Sequence, residues 1–314
     1  MKNVLTGTFL RRAGAPEVLG PIPGLTINDP LLAAVLDFDT PLLLLHDETT
    51  HGEGPVWDTV EGRLIWSDVV SRRLMAWHPD GHVHTVLDPT WFVNGNALLS
   101  DGTMAHCEHG RRCISLSRPG QEALPHITHY QGGRLNAPSD IVLGPNDTLW
   151  FTDPVFGISS PHEGYIADPE LPHRSVYRYH RASNSLTRMA DLDQPTGLAF
   201  SPDGQTLYVS DASRAIGGPA HSIQAFTVSH DNVLSDERPF YSVEHGFPDG
   251  LAVDWRGWIW ATAGDGLHIL DSSGYRLGFI PLPCAPTNCT FGGPDNRRLF
   301  ITCKSRLLAL DLRD

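Results

Sequence analysis

The chain has 314 residues, of which 40% are hydrophobic and 19% charged, so it can bury a sizeable core and is not expected to be intrinsically disordered. Its 36 acidic residues against 23 Lys and Arg give a formal net charge of −13. Nucleic acid is therefore not an expected partner, because neutralising phosphates needs clustered cations. The 30 Gly and 25 Pro favour many short strands joined by tight turns over long helices.

Residues 1–40 are predicted to form an N-terminal extension with one short helix around Leu31–Phe38. The opening residues MKNVLTGTFLRRAG lack the apolar run of a secretory signal, and no segment approaches the roughly 18 apolar residues of a membrane span. The five cysteines form no CxxC pair, which favours free thiols in a reducing compartment. We therefore expect a cytoplasmic protein without membrane association.

After the extension, one pattern recurs six times: a short apolar stretch, a turn rich in Gly, Asp and Pro, and a β-rich strand. The copies read EGPVWDTVEGRLIWSD, NGNALLSDGTMAHCE, SDIVLGPNDTLWFTD, TGLAFSPDGQTLYVSD, DGLAVDWRGWIWATA and TNCTFGGPDNRRLFITC. Each copy predicts a hairpin, and the chain between copies is long enough for two further strands. Four strands at a period of roughly 40–50 residues are typical of a β-propeller blade.

Six copies predict an all-β protein in which residues 41–314 form a six-bladed β-propeller. A β-sandwich is the alternative, but a sandwich gives no reason to repeat one hairpin six times. The strand Pro41–His46 is predicted to complete the last blade and close the ring, which would remove exposed sheet edges.

The repeats can be aligned to find a site, because propeller blades present the start of their innermost strand near the axis. Four positions before the last apolar residue of each first strand, every copy has a side-chain oxygen: Glu53, Asn94, Ser139, Thr196, Asp249 and Thr287. Such a ring of oxygens would suit a hard divalent cation, calcium above all. The alternative is that these residues cap backbone amides, and this alternative is strongest for Ser139 and Thr287.

Other catalytic chemistry has little support in the sequence, which contains neither a GxSxG nucleophile elbow nor an HExxH zinc helix. The 16 histidines are scattered. His109, which follows a predicted strand end at Glu108, is a candidate substrate contact, although a structural role is the alternative.

Several stretches resemble the senescence marker protein (regucalcin)/gluconolactonase family: EGPVWDTVEGRLIWSD, NGNALLSDGTMAHCEHGRR, RLNAPSDIVLGPNDTLWFTDPVFGI, PTGLAFSPDGQTLYVSD and PDGLAVDWRGWIWAT. They occur in order from about Glu53 to Leu310, with the CEHG and TDP-x-x-G stretches of the bacterial gluconolactonase branch. The resemblance implies a six-bladed propeller that binds a divalent cation, usually calcium, and hydrolyses sugar lactones.

The resemblance also implies roles for single residues. It makes Glu53 a metal ligand, and Asp249 both a metal ligand and the general base. Thr196 stands where the family usually has a metal-binding Asn, and Ser139 stands where it has an Asn beside metal and substrate, followed by the matching Asp140. Since a hydroxyl is shorter than a carboxamide, these departures leave more room and less polarity in the pocket.

The leading hypothesis is therefore a metal-dependent lactonase, monomeric or a small homo-oligomer, that acts on gluconolactone or a bulkier lactone. Glu53, Asp249 and Thr196 would hold the cation, with Ca²⁺ favoured and Zn²⁺, Mn²⁺ or Mg²⁺ as alternatives, and Asp249 and Glu53 would be the catalytic pair. The predicted substrate contacts are Asn94, His109, Asn136, Ser139 and Asp140. Two alternatives remain: a non-sugar esterase or non-hydrolytic enzyme on the same scaffold, and a binding protein without catalysis.

Overall fold

Strands dominate the computed structural model, which describes residues 9–11, 15–118 and 121–313. The segment before the repeats forms β1 (Phe9–Arg11), β2 (Glu17–Pro21), β3 (Thr26–Ile27), helix α1 (Pro30–Val35) and β4 (Pro41–His46). Helix α1 is capped by Asp29, whose side chain accepts a hydrogen bond from the Leu31 N–H at 2.8 Å. The helix ends earlier than predicted because Leu36 is extended and the Asp37 carboxylate accepts a bond from the Thr40 hydroxyl at 2.9 Å, which closes a turn.

Each of the six repeats folds into an antiparallel sheet whose first strand lies innermost. Blade 1 contains β5 (Gly52–Asp58), β6 (Arg63–Asp68), β7 (Arg73–Trp77) and β8 (Val83–Leu87). Blade 2 contains β9 (Val93–Leu98), β10 (Met104–Glu108), β11 (Cys113–Ser117) and β12 (Leu124–Ile127). A small hairpin follows, made of β13 (His129–Tyr130) and β14 (Gly133–Arg134).

Blade 3 contains β15 (Ile141–Gly144), β16 (Thr148–Asp153), β17 (Ser175–His180) and β18 (Ser185–Asp191), with a 3-10 helix (Pro145–Asp147) after β15 and helix α2 (Phe156–Ser159) after β16. Blade 4 contains β19 (Pro195–Phe200), β20 (Thr206–Asp211), β21 (Ser222–Val228) and β22 (Leu234–Ser242), with a 3-10 helix (Ser213–Ile216) after β20. Blade 5 contains β23 (Pro248–Val253), β24 (Ile259–Ala263), β25 (Gly266–Leu270) and β26 (Arg276–Pro281). Blade 6 contains β27 (Pro286–Gly292), β28 (Arg298–Cys303) and β29 (Leu307–Asp311). The predicted six-bladed propeller is confirmed.

Strand β4 closes the ring as predicted. It pairs antiparallel with β29, with Leu307 opposite His46 and Leu308 opposite Leu44, and β2 then pairs with β4 at the outside of blade 6. The extension also adds β3 to blade 5 and β1 to blade 1. Strands from both parts of the chain therefore hold the ring shut, and outer strands of three blades are covered.

The hydrophobic core is divided among the blade interfaces. Within the described residues, one large apolar cluster lies between each pair of neighbouring blades, including blades 6 and 1. At that closing interface Trp57 of blade 1 stacks on Phe300 of blade 6 with ring centres 5.6 Å apart. Helix α1 packs Leu32 into the cluster between blades 5 and 6. In the same described ranges, no helix is long and apolar enough to span a bilayer.

The innermost strands meet around the axis through their backbones. Four of them have glycine directly after the aligned polar position: Gly54, Gly95, Gly197 and Gly250. A Cβ atom at Gly54 would lie 2.1 Å from the Asn94 carbonyl oxygen of the next blade, and one at Gly250 would lie 2.1 Å from the Asn288 side chain. Only glycine allows this approach, so these positions set how tightly the blades close around the axis.

Replacing Gly197 with Ala should destabilise the ring. Its Cβ would lie 2.3 Å from the Asp249 carbonyl oxygen, which is backbone and has no rotamer to adjust. We expect the free energy of unfolding in urea to fall by about 2–3 kcal/mol or more, the cost of overpacking. Gly264→Ala is the matched control, because its nearest neighbour would be the Gly246 Cα at 3.2 Å. An equal loss in both variants would contradict this account of the axis.

Candidate active site at one mouth of the propeller

The aligned polar residues lie at one end of the axis. All six innermost strands begin at this mouth, and Glu53, Asn94, Ser139, Thr196, Asp249 and Thr287 each stand at or just before the start of one of them. Neighbouring innermost strands contact each other in order around the ring, from β5 through to β27 and back. The ring of oxygen-bearing residues is thus assembled from six separate blades.

Glu53 of blade 1 and Asp249 of blade 5 bring two carboxylates together. Burial, and then the charge of Asp249, raise the pKa of Glu53 well above its ordinary value. Asp249 is only partly covered, yet its removal from bulk water and the charges of Asp140 and Glu163 raise its pKa to about 8, against the opposing effect of Lys304. Without a cation the mouth therefore disfavours the charged form of both carboxyl groups, and a bound cation would favour it.

Asn288 and Asp140 fill the axis between these carboxylates and the rest of the channel. The Asn288 side chain is hydrogen-bonded to both Glu53 and Asp140, while its Oδ1 accepts from the Cys289 N–H at 2.8 Å. Asp140 Oδ2 accepts from the Leu198 N–H of blade 4 at 3.3 Å, and burial raises the Asp140 pKa to about 6. Beyond this pair a cavity of about 580 Å³ continues along the axis between the innermost strands.

Asn288 was missed by sequence reasoning, although the repeats contain a signal for it. One residue after the aligned position, the six copies read E-G, N-G, S-D, T-G, D-G and T-N. The two copies without glycine, at Asp140 and Asn288, are those whose side chains reach into the axis. A comparison of the residue that follows each aligned position would have identified both Asp140 and Asn288.

Thr196 provides a hydroxyl without a partner. Its side chain is buried, and Oγ1 has no hydrogen-bond partner among the described residues. An unsatisfied buried hydroxyl is costly, and a cation at the mouth would satisfy it. Ser139 is also buried, and its backbone is fixed by bonds from its N–H to the Thr152 carbonyl at 3.0 Å and from the Gly95 N–H to its carbonyl at 2.8 Å.

Thr287 behaves differently from the other aligned residues. Its hydroxyl bonds the Gly52 carbonyl of blade 1 at 2.6 Å. The hydroxyl therefore has a structural role, but as a donor to a carbonyl and not as a cap of a backbone amide, and it ties blade 6 to blade 1.

Similar hydroxyl bonds join other blades. Ser67 of blade 1 donates to the Asn94 carbonyl of blade 2 at 2.7 Å, and Thr262 of blade 5 donates to the Thr287 carbonyl of blade 6 at 2.9 Å. Thr152 of blade 3 donates to the Thr196 carbonyl at 2.6 Å and accepts from the Asp140 N–H at 3.0 Å. Thr152 thus positions two residues of the site at once.

His109 and Asn94 form a fixed pair at the mouth. His109 Nδ1 lies 2.9 Å from the Glu163 carbonyl oxygen, which can only accept, so this nitrogen carries the proton. The other ring nitrogen, Nε2, is then the acceptor for Asn94 Nδ2 at 3.2 Å. Burial lowers the pKa of His109, so the ring is neutral. Asn94 is left with its carbonyl oxygen for another partner.

The segment between β16 and β17, residues 154–174, folds back over His109 and is called the lid here. Gly157 and Gly164 of the lid lie against His109, and a Cβ at Gly157 would be 2.3 Å from the His109 ring. Glu163 of the lid lies 3.9 Å from His51 Nδ1. Glu163, His51 and Lys304 were not identified from the sequence, because no repeat or motif marks them.

Asn136 lies at the base of the lid. It has no exposed surface, and its Nδ2 donates to the carbonyls of Asp153 at 3.2 Å and His173 at 3.0 Å. The predicted substrate contact of Asn136 would therefore have to be made through Oδ1, which has no partner within the described part of the chain.

The residues at the mouth suit a divalent cation with oxygen ligands. Glu53 and Asp249 supply carboxylates from two blades, and Thr196 supplies the unpartnered hydroxyl. Among the described residues, no three His, Cys, Asp or Glu side chains converge as a ready-made metal cluster, so neutral oxygens would have to complete the coordination.

Comparison with known proteins agrees with the fold. Residues 51–305 match the family model described as the SMP-30/gluconolactonase/LRE-like region. A gluconolactonase from Zymomonas mobilis is 29% identical over 308 residues, which cover 90% of this chain and 85% of the relative. A pentonolactonase from Haloferax volcanii is 27% identical over 265 residues, 80% of each chain.

Solved structures also span most of the chain. A gluconolactonase from Xanthomonas campestris superposes with a TM-score of 0.91 at 44% identity, covering 98% of this chain and 100% of that one. A calcium-binding protein, regucalcin, from Agrobacterium tumefaciens superposes with a TM-score of 0.70 at 20% identity, covering 86% and 93%. At that lower identity the likeness shows the fold alone.

Replacing Thr152 with Val should weaken the protein without changing the size of the side chain. The change leaves the Thr196 carbonyl and the Asp140 N–H without partners in a buried place. We expect a loss of about 2 kcal/mol in the free energy of unfolding, measured in urea. Thr152→Ser keeps the hydroxyl and should retain most of the stability. If Val were as stable as Ser at this position, the hydroxyl would have no positioning role.

Proposed function

The chain belongs to the SMP-30/gluconolactonase/LRE-like family and is a lactonase, and we propose that it opens a sugar lactone by attack of water at a divalent cation held by Glu53, Asp249 and Thr196. The strongest support is the meeting of two poorly solvated carboxylates with a buried, unpartnered hydroxyl. Because all the donors are oxygens, calcium is favoured, with Zn²⁺, Mn²⁺ or Mg²⁺ as alternatives.

The two carboxylates differ in their surroundings, and this difference suggests different roles. Glu53 is buried, and its Oε2 accepts from the Gly54 N–H at 3.0 Å. It is therefore suited to anchor the cation. When bound, the cation would polarise the lactone carbonyl as a Lewis acid and stabilise negative charge on its oxygen.

Asp249 is suited to act as the general base. It is partly open to the mouth, and its raised pKa of about 8 makes it a stronger base than a carboxylate in bulk water once a bound cation has favoured its ionised form. A water molecule beside Asp249 would lose its proton to the carboxylate as its oxygen attacks the lactone carbonyl carbon. The bond between the carbonyl carbon and the ring oxygen then breaks, and the ring oxygen takes up the proton held by Asp249, which gives the open hydroxy acid and restores the carboxylate.

The predicted substrate contacts are consistent with a polyhydroxylated ligand. The Asn94 carbonyl oxygen would accept from a substrate hydroxyl, because the bond from Asn94 Nδ2 to His109 turns this oxygen away from the histidine. Ser139 of blade 3 lies between Asn94 of blade 2 and Thr196 of blade 4 in the ring and would contact a neighbouring hydroxyl. Asp140 would act mainly by holding the Leu198 and Ile141 backbone and Asn288 in place.

A second candidate substrate is a bulkier, more apolar lactone or ester. Trp91, which is 40% exposed, precedes β9 at the mouth, and the lid carries Tyr165 and Ile166, which are 48% and 71% exposed. Thr196 and Ser139 also leave more room than the Asn residues that the family resemblance leads us to expect. A lactone panel with a pH-indicator readout, run with and without chelator, separates this candidate from a sugar lactonase.

Two substitutions should separate metal binding from chemistry. Glu53→Ala should abolish binding of the cation, measured by calorimetric titration with calcium. Asp249→Asn should retain more of the calcium affinity but lower kcat on gluconolactone by on the order of 10²- to 10⁴-fold, the usual loss of a general base. Glu237→Ala, on the exposed outer strand of blade 4, is the control and should match the wild type. Wild-type turnover in Asp249→Asn would rule out its role as the base.

A further pair of substitutions tests the departures from the family pattern. Thr196→Asn should place a carboxamide oxygen nearer the cation and tighten calcium by about tenfold, or about 1.4 kcal/mol. Ser139→Asn should change calcium affinity less and substrate preference more. The double variant should gain activity on gluconolactone relative to a bulkier ester. Weaker calcium binding by Thr196→Asn, or no gain in the double variant, would mean that the pocket is built around the hydroxyls and that gluconolactone is not its substrate.

A further inference from the structure

Three histidines share one face of the outer hairpin of blade 1. Strand β7 pairs with β8 so that Ala76 lies opposite His84 and Trp77 opposite Val83. The pairing continues into the turn, where the His78 N–H donates to the His82 carbonyl at 2.9 Å. Because side chains alternate along a strand, His78, His82 and His84 project from the same face.

The three imidazole rings lie close together. The ring centres of His78 and His84 are 5.1 Å apart, those of His82 and His84 are 5.3 Å apart, and those of His78 and His82 are 5.7 Å apart. Three imidazoles bound to one tetrahedral zinc ion, with Zn–N distances of about 2.1 Å, have ring centres about 5 Å apart. The spacing of the cluster therefore matches that of a three-histidine metal site.

The ring nitrogens of the cluster do not yet point at one centre, since no three metal-binding side chains among the described residues do so. Rotation of the rings about their Cβ–Cγ bonds changes which nitrogens face inward and needs no movement of the hairpin backbone. The three residues are half-buried, and β1 pairs with β8 beside them, with Phe9 opposite His84.

The charges around the cluster are of both signs. Arg63 lowers the pKa of both His78 and His84, but its own charge is partly offset because it is paired with Asp58 at 3.2 Å and with Glu61 at 3.0 Å. Asp80 in the turn accepts from the His82 N–H at 2.9 Å. Burial, together with neighbouring positive charge, lowers the pKa of His78 and takes that of His84 to about 4, so both rings are neutral near pH 7. Neutral imidazole is the form that binds metals.

We propose that His78, His82 and His84 form a second metal site, which binds a transition-metal ion of the Zn²⁺ class with water completing the coordination. The site lies at the opposite face of the propeller from the mouth. Strand β5 leaves the mouth, β6 returns to it, and β7 leads away again to the histidine turn. The site is therefore independent of the cation proposed at Glu53 and Asp249, and its ligands are nitrogens instead of oxygens.

Cobalt titration of the full-length protein tests the site, because Co²⁺ replaces zinc and absorbs visible light strongly when tetrahedral. The titration is made in the Glu53→Ala background and in excess calcium, which prefers oxygen ligands and should not compete. We expect one equivalent of tetrahedral Co²⁺, displaced by Zn²⁺. His84→Gln should weaken binding by on the order of 100-fold or more, since even an outer hydrogen-bond partner of a metal ligand is worth about 10- to 100-fold.

His230→Gln, which removes an exposed histidine in a turn of blade 4, is the matched control and should bind Co²⁺ like the parent. A second readout needs no substitution in the hairpin: Zn²⁺ should shift the imidazole nitrogen resonances of three histidines. The absence of a tetrahedral Co²⁺ spectrum, equal affinity in His84→Gln and the parent, or zinc shifts at other histidines would each overturn the proposal.

Discussion

The site depends on how closely the innermost strands approach each other at the axis. Gly54, Gly95, Gly197 and Gly250 have no space for a Cβ, because the backbone or side chain of the next blade already occupies it. Backbone contact leaves the axis too narrow for six ordinary side chains, so only two blades place one there, at Asp140 and Asn288. These two separate the mouth from the cavity beyond it. The same close approach brings Glu53 and Asp249 together, although nearly 200 residues separate them along the chain.

The two carboxyl groups at the mouth, Glu53 and Asp249, are electrostatically unfavourable for the folded protein. Burying a carboxylate costs several kcal/mol, and a second one nearby adds repulsion. The N–H of Gly54 and the amide of Asn288 offset part of this cost for Glu53, and Lys304 offsets part of it for Asp249. Nothing comparable satisfies the Thr196 hydroxyl within the described residues. The apolar clusters between blades stabilise the fold enough to offset this unfavourable arrangement. A bound cation would reduce the cost of burying the two carboxylates. These features are the basis for proposing metal-assisted chemistry at the mouth.

Much of the architecture could be predicted from the sequence, because each blade contains its own hairpin pattern. The six patterns give the number of blades. The closing strand Pro41–His46 was predictable for a similar reason, since an apolar run suits a strand buried on both faces. Strands β1 to β3 were not predicted, because they are short and pair with strands distant in sequence.

The direction of side chains could not be predicted either. Thr196 and Thr287 occupy the same aligned position in sequence, yet the Thr196 hydroxyl has no partner among the described residues, whereas the Thr287 hydroxyl donates to the Gly52 carbonyl. Both innermost strands have a register shift at this point, so the difference lies in which carbonyl of a neighbouring strand comes within reach of the hydroxyl, and sequence alone does not place it.

The lid controls the polarity of the mouth through one chain of hydrogen bonds. The Glu163 carbonyl of the lid fixes the proton of His109 on Nδ1, so that Nε2 accepts from Asn94. Asn94 therefore turns its carbonyl oxygen, an acceptor, away from His109 and toward any other partner. If the lid moved away, His109 could carry its proton on either nitrogen, and the Asn94 amide would lose its fixed orientation. Gly157 and Gly164, where a side chain would collide with His109 or with the lid backbone, let the lid lie close enough to make this bond. The connection between β16 and β17 thus fixes the direction of the Asn94 amide at the mouth, and we expect substrate recognition to depend on the lid as well as on the blades.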